Sequence, residues 1–268
     1  MAVKNKKIIL AIILVFVITG LFLYRVKIKR LMEDALKTQL PKEANFQNPV
    51  AEKHDSVTET ENLNIAATMP TARQEAKTLP LSYNLNIPFT MQAPYSDWSE
   101  PWQNTCEEAN ILMVRYYYQG QTLTKKIAKA ELEKLINWQN QNFGSYVDTD
   151  IQQMAEMAEK IWNYKTQIID NPTVKQIKTT IAEGMPVIMP TAGRELKNPY
   201  FANLGPVYHM VTVKGYTADG KFITNDPGIG KGHNYLYDSA VLMNAMHDWN
   251  GNEENILQGA KRILIILP

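Results

Sequence analysis

A chain of 268 residues that is 45% hydrophobic and 21% charged has the makeup of an ordinary globular protein, with room for one large or two small domains. Its formal net charge of +1 argues against a nucleic-acid partner, because dedicated binders carry a strong basic excess. A single cysteine excludes an internal disulfide and a cysteine-rich zinc site, and the four histidines include no HExxH pair, so neither a metal nor a cofactor is expected.

The chain opens with an apolar run, Ile8 to Tyr24, preceded by Lys4, Lys6 and Lys7 and followed by Arg25, Lys27, Lys29 and Arg30. As a helix it would be about 26 Å long, close to the hydrocarbon thickness of a bilayer. The run ends Gly-Leu-Phe-Leu-Tyr-Arg, without the small residues of a signal-peptidase site, so an uncleaved transmembrane anchor over residues 1–24 is expected. With basic residues on both flanks, the positive-inside rule selects neither orientation. The short N-terminal tail favours a single-pass protein with its N-terminus inside and its main domain extracytoplasmic.

Residues 25–80 are polar and poor in aromatics, which predicts a flexible stalk, with the stretch near Lys27 to Leu40 able to continue as helix. His54 in this stalk is expected to be a solvated residue. Residues 81–268 form the compact domain, with regular structure from about Tyr83, roughly 185 residues and a comfortable size for one core. Its first half reads as helices. Thr105 and Glu108 form a T-x-x-E pattern that predicts a capping box, with Gly120 as the stop. A second helix is predicted over Thr124 to Gln141. A third starts at Thr149 or Asp150 with Gln152 in the capping position. A fourth has Asn171 as cap, Pro172 at its first position and Gly184 at its exit.

The second half reads as strands. PVIMPT (186–191) is short and apolar, and YHMVTVKGY (208–216) and KFITNDP (221–227) flank a tight Asp219-Gly220 turn. RILIILP closes the chain as a buried strand. Helices followed by antiparallel strands predict an α+β domain, helices packed on a C-terminal sheet and preceded by the transmembrane helix.

Cys106 follows the predicted cap in the first turn of a helix, where unpaired amides and the dipole favour a thiolate. Glu107 and Glu108 oppose that ionisation, and a free cysteine is also often a small buried hydrophobe. His209 begins a strand, and the hairpin brings Asp226, at the end of the next strand, near it. The carboxylate can then hold one ring nitrogen while the other activates a thiol. Asp226-Pro227-Gly228 is also an ordinary turn sequence. For the oxyanion, the helix-start amide offers one donor; Gln92 is the side-chain candidate and Gln103 its competitor.

Five stretches carry a resemblance: Ile87-Pro88-Phe89-Thr90-Met91-Gln92-Ala93-Pro94, Trp102 to Ala109 around Cys106, Gly184 to Ile188, His209 to Tyr216, and Asn225-Asp226-Pro227-Gly228. Together they resemble the peptidase C39-like domain, a papain-like cysteine peptidase fold related to bacteriocin leader peptidases. The resemblance covers the domain from about Tyr83 and none of the anchor or stalk. It implies Cys106 as nucleophile, His209 as base, Asp226 as orienter and Gln92 as oxyanion donor. Glu107 stands where leader peptidases carry Gly, their glutamine lies closer to the cysteine, and no transporter or ATPase segment accompanies the domain here, so leader cleavage is not carried over.

A membrane-anchored thiol hydrolase acting on a peptide or protein amide is therefore expected. A non-catalytic peptide- or cell-wall-binding module on the same fold, or a thiol acyltransferase, is the alternative. Gly228-Ile229-Gly230-Lys231-Gly232 lacks phosphate-loop spacing. His233, His247 and Asp248 fit no ligand pattern and are expected at the surface or in loops, and at least one of Tyr116, Tyr117 and Tyr118 must be core.

Overall fold

The structure is a computed structural model that describes residues 2–37, 40–47 and 78–268, without the side chains of residues 2–14, 30, 33, 34, 36 and 37; His54 lies outside the described residues. The N-terminal run forms a helix, α1 (Ala2–Lys37). Among the described residues no helix is long and apolar enough to cross a membrane. The first half of the expected anchor falls on the side chains left undescribed.

The domain begins with a two-residue strand, β1 (Tyr83–Asn84), and continues through α2 (Cys106–Tyr118), α3 (Lys125–Asn142) and α4 (Ile151–Trp162). There follow β2 (Lys165–Asp170), α5 (Val174–Ala182), β3 (Val187–Ala192), β4 (Tyr208–Tyr216) and β5 (Lys221–Asn225). The chain closes with β6 (Tyr235–Asp238), α6 (Ser239–Ala245) and β7 (Arg262–Leu267). The sheet is antiparallel in the order β2-β7-β3-β4-β5-β6, with β1 pairing with β4. This is the expected α+β arrangement of early helices and a later sheet.

The long central strand β4 is buried at all nine positions, because it has strand neighbours on both edges and carries α2 and α5 on its face. Only glycine fits at Gly215, where an added Cβ would lie 2.5 Å from the Tyr83 carbonyl oxygen. The strand therefore bulges between Val213 and Gly215 while β1 closes on it.

Capping follows different residues from those the sequence pattern selects. Thr105 makes no side-chain cap; its hydroxyl donates instead to the carbonyls of Gln92 and Trp102, at 3.0 and 3.2 Å. On α4 the capping box is Asp150 with Gln153, rather than a pair involving Gln152. On α5 it is Thr173 with Gln176; Asn171 turns left-handed (φ 47°) two residues earlier, so Pro172 precedes the helix. Gly120 and Gly184 end α2 and α5 with positive φ, as predicted. Tyr116 and Tyr117 are core residues.

His247 and Asp248 are buried, against the surface placement expected for them. They stitch elements together: His247 Nδ1 pairs with the Gly259 carbonyl at 2.9 Å, and Asp248 Oδ1 accepts from the Ile151 amide and the Tyr208 hydroxyl. The polarity that suggests a surface position is consumed by hydrogen-bond partners in the interior.

Candidate active site

The cleft forms where the start of α2 meets the start of β4. Its cavity of about 430 Å³ is lined by Gln92, Gln103, Cys106, Glu107, Tyr208 and His209, with Trp98, Phe201 and Ile229 supplying apolar walls. Cys106 is the first residue of α2 and is 6% exposed. Thr105 directs its hydroxyl to the Gln92 segment and caps no amide, and the first-turn amides of α2, as at any helix start, have no intrahelical acceptor.

One turn along, Asn110 fixes α2 against β4. Its amide donates to the carbonyls of Cys106 and Met210, at 2.7 and 2.9 Å, and its oxygen accepts from Thr212 at 2.6 Å. This buried bridge ties the backbone of Cys106 to the residue that follows His209. A helix residue facing a strand at i+4 from the cysteine is the kind of polar residue that sequence periodicity alone assigns to no role.

His209 sits near the start of β4, and Asp226 directly follows β5. Their side chains meet, Nε2 to Oδ1, at 2.7 Å, with both groups essentially excluded from solvent. When Nε2–H donates to Asp226, the neutral imidazole keeps Nδ1 as its acceptor. The ring is confined on two sides. Phe201 approaches it edge-on with centroids 5.3 Å apart, and Gly228 lies so close that a Cβ there would be 2.8 Å from Cε1.

Asp226 is satisfied by four donors. Besides His209, Oδ1 accepts from the Gly228 amide at 3.0 Å, and Oδ2 accepts from the Tyr237 hydroxyl at 2.6 Å and from Asn198 at 3.3 Å. Asn198 also donates to the Tyr237 oxygen at 2.6 Å. Tyr237 and Asn198 carry no sequence signal: one is an aromatic in a short strand and the other a polar residue in a turn-rich stretch. Burial and the neighbouring carboxylate push the Tyr237 phenol well above its ordinary range, so it remains a donor.

The thiol environment differs from the one that helix position alone predicts. Cys106 Sγ donates to Glu107 Oε2 at 3.1 Å. Burial, followed by the charge and hydrogen bond of Glu107 and the charge of Glu108, raises the thiol pKa well above its ordinary value. Burial and the charge of Glu108 raise Glu107 in turn. Glu108 is pushed up to about 7, chiefly by burial, against the lowering effect of its bond from Gln139. Burial and two acids at the helix start thus outweigh the dipole.

Gln92 is buried beside Cys106, and its amide nitrogen donates to the Trp102 and Gln103 carbonyls at 3.2 and 2.8 Å. The Gln103 side chain instead turns outward to Glu100. Among the described residues no group of three or more His, Cys, Asp or Glu side chains is arranged to hold a metal ion.

No curated protein matches the chain. Among solved structures it is similar to a Bacillus anthracis protein assigned as a C39-like peptidase, at 17% identity and a TM-score of 0.45, covering 68% of this chain and 95% of that one. The model of the Peptidase_C39 like family matches residues 84–254, a stretch that takes in Gln92, Cys106, His209 and Asp226, and the chain belongs to that family.

Proposed function

We propose that the domain is a cysteine hydrolase that cuts amide bonds in a peptide or protein. The observation that carries this reading is the buried 2.7 Å contact between His209 and Asp226 at the cleft that Cys106 lines. In the proposed reaction the thiol proton passes to His209 Nδ1 as Sγ attacks the amide carbonyl carbon. The oxyanion is held by the Cys106 amide and by Gln92, which turns one N–H away from a backbone carbonyl. His209 returns the proton to the nitrogen as the C–N bond breaks, leaving a thioester. Water then attacks, gives a proton to His209, and the acid departs as Sγ is reprotonated.

Because the thiol pKa is raised, His209 acts as a general base on a neutral thiol rather than as the partner of a resident thiolate. The test uses iodoacetamide on the full-length chain at pH 7. His209→Ala should slow alkylation of Cys106 by about tenfold or more, and Cys106→Ala should abolish turnover of a fluorogenic peptide pool. Equal alkylation with and without His209 would instead mean a structural cysteine and a binding module. Capture of the acyl group by added hydroxylamine in preference to water would favour the acyltransferase reading.

Attachment to a membrane through residues 8–24, with the domain outside the cytoplasm, rests on the apolar run between basic flanks and on the short N-terminal tail. It predicts that the full chain sediments with membranes through alkaline carbonate and that a chain lacking residues 1–24 does not.

A further inference from the structure

Residues 40–47 belong by composition to the polar stalk, yet they lie on the domain. The Ala44 amide donates to the Asn84 carbonyl and the Asn86 amide to the Ala44 carbonyl, both at 2.8 Å, so Ala44 bridges Leu85 in parallel. Phe46 packs edge-on against Tyr117 and Tyr118, with centroids 5.7 and 4.9 Å away. The segment is an added edge to the domain, and it carries Glu43.

Glu43 Oε1 lies 2.7 Å from Lys214 Nζ and 3.1 Å from Asn234 Nδ2, with His233 Nε2 at 3.7 Å. Lys214 stands on β4 and its side chain is wholly buried, so its charge requires these partners. Its other acceptor is Asn234 Oδ1, at 2.7 Å. The Asn234 amide is thus gripped at both ends while its backbone is held left-handed, at φ 55°. Burial pushes the Glu43 carboxyl up, but the bonds from Lys214 and Asn234 and the nearby positive charges bring it below its ordinary value.

Asn234 closes a loop that opens on Asp226. Within that loop Gly228 and Ile229 line the cleft, and the Asp226 amide donates to the Gly232 carbonyl at 3.0 Å. A Cβ at Gly232 would overlap the Asp226 carbonyl oxygen, so the loop is folded tightly upon its own start. One end is fixed by β5 and the other by β6, which pairs with β5 from Tyr235, and by Glu43, Lys214 and Asn234.

We propose that Glu43 is a positioning residue of the cleft: through Lys214 and Asn234 it sets the 226–234 loop and with it the placement of Asp226 against His209. This inference rests on the reading of those two residues as orienter and base. It makes residues 40–47 part of the working domain, although the remainder of the stalk separates them from it in sequence.

The experiment compares the full-length chain with Glu43→Ala and Glu43→Gln. In Glu43→Ala, amide hydrogen exchange over 226–236 should rise about tenfold while β7 is unchanged. Alkylation of Cys106 by iodoacetamide should fall about tenfold at pH 7, with a smaller loss at pH 9.5, where more of the reaction runs through hydroxide. Glu43→Gln, which can still accept from Lys214 and Asn234, should retain most of both properties and serves if the alanine variant fails to fold. Unchanged exchange over 226–236, a rise shared equally by β7, or an unchanged ratio of the two alkylation rates would overturn the proposal. Absence of His209-dependent alkylation in the unaltered chain would instead overturn the triad reading, while the exchange comparison would still decide whether Glu43 holds the loop.

Discussion

Cys106 Sγ and Glu107 Oε2 lie 3.1 Å apart at the first turn of α2, so the resting thiol is a hydrogen-bond donor to an acid one residue away. A helix start normally lowers a thiol pKa, and here burial and two glutamates reverse the sign. Glu107 therefore opposes ionisation of the Cys106 thiol. Its replacement by Gln keeps the shape and the acceptor but removes the charge. Glu107 itself titrates high, so its charge, and this opposition, grow as pH rises through its folded pKa. Alkylation by iodoacetamide should be faster in Glu107→Gln by about tenfold, one unit of thiol pKa, with the ratio to the unaltered chain widening as rising pH charges the acid. Identical profiles would show that the acid does not control the thiol.

The hydrogen bonds around Asp226 predict a ranking. Asp226→Asn removes the charge that stabilises a protonated imidazole and places an amide nitrogen among donors, so turnover should fall about 100-fold or more. Tyr237→Phe removes the 2.6 Å donor to Oδ2 and one acceptor of Asn198, and leaves Asn198 to serve that oxygen. Its loss should be nearer tenfold, with stability reduced by about 1 to 3 kcal/mol for the buried acceptor left short of a partner. Peptide turnover and urea midpoints on the same preparations check both effects. An equal or larger catalytic loss for Tyr237→Phe would mean that the phenol, and not the carboxylate charge, governs the histidine.

Glu108 makes a prediction about stability. It is wholly buried, its Oε1 accepts from Gln139, and its Oε2 has no partner among the described residues. Its carboxyl titrates near 7 in the folded chain against an ordinary value of 4.5. Between those values the native state holds a proton that the unfolded chain has released, so stability falls as pH rises through the window and stays lower above it. The loss is on the order of 3 kcal/mol. Glu108→Gln should flatten the change in urea midpoint between pH 5 and pH 8 and be the more stable protein at pH 8. A pH profile parallel to that of the unaltered chain would show that the buried acid is accommodated in some other way.

Much of the site was legible because it depends on local chemistry. β4 begins and ends where its apolar pattern does, and the Asp219-Gly220 turn brings the end of β5, and Asp226 just after it, back toward the start of β4. What escaped depends on partners distant in the chain. Thr105 has the pattern of a cap, but its hydroxyl is claimed by the carbonyl of Gln92, 13 residues earlier. β2 and β6 have no clean alternation, since β2 is a half-exposed edge strand and β6 is only four residues long. Tyr237 and Asn198 acquire meaning only beside Asp226. Glu43 looks like stalk because its partner, Lys214, is 171 residues away, and a buried lysine in an apolar strand is the one trace of it the sequence retains.

Gly228 offers a test of how closely the imidazole is held. Its amide donates to Asp226 Oδ1 at 3.0 Å, and its Cα lies against the histidine ring. A methyl group there would sit 2.8 Å from Cε1 and 3.2 Å from Nε2 and Phe201 Cε1, closer than carbon contacts normally allow. The ring cannot retreat freely, because it is bonded to Asp226 at 2.7 Å and packed edge-on against Phe201. Gly228 has a negative φ compatible with any residue, so Gly228→Ala should carry little backbone strain. Its effect should appear both in chemistry, as about a 100-fold loss of peptide turnover in the range of a misplaced catalytic group, and in stability, as a loss of about 1 to 3 kcal/mol from overpacking. Full turnover would mean that the histidine has room to move, and that neither the loop nor its Glu43 clamp sets the geometry of the base.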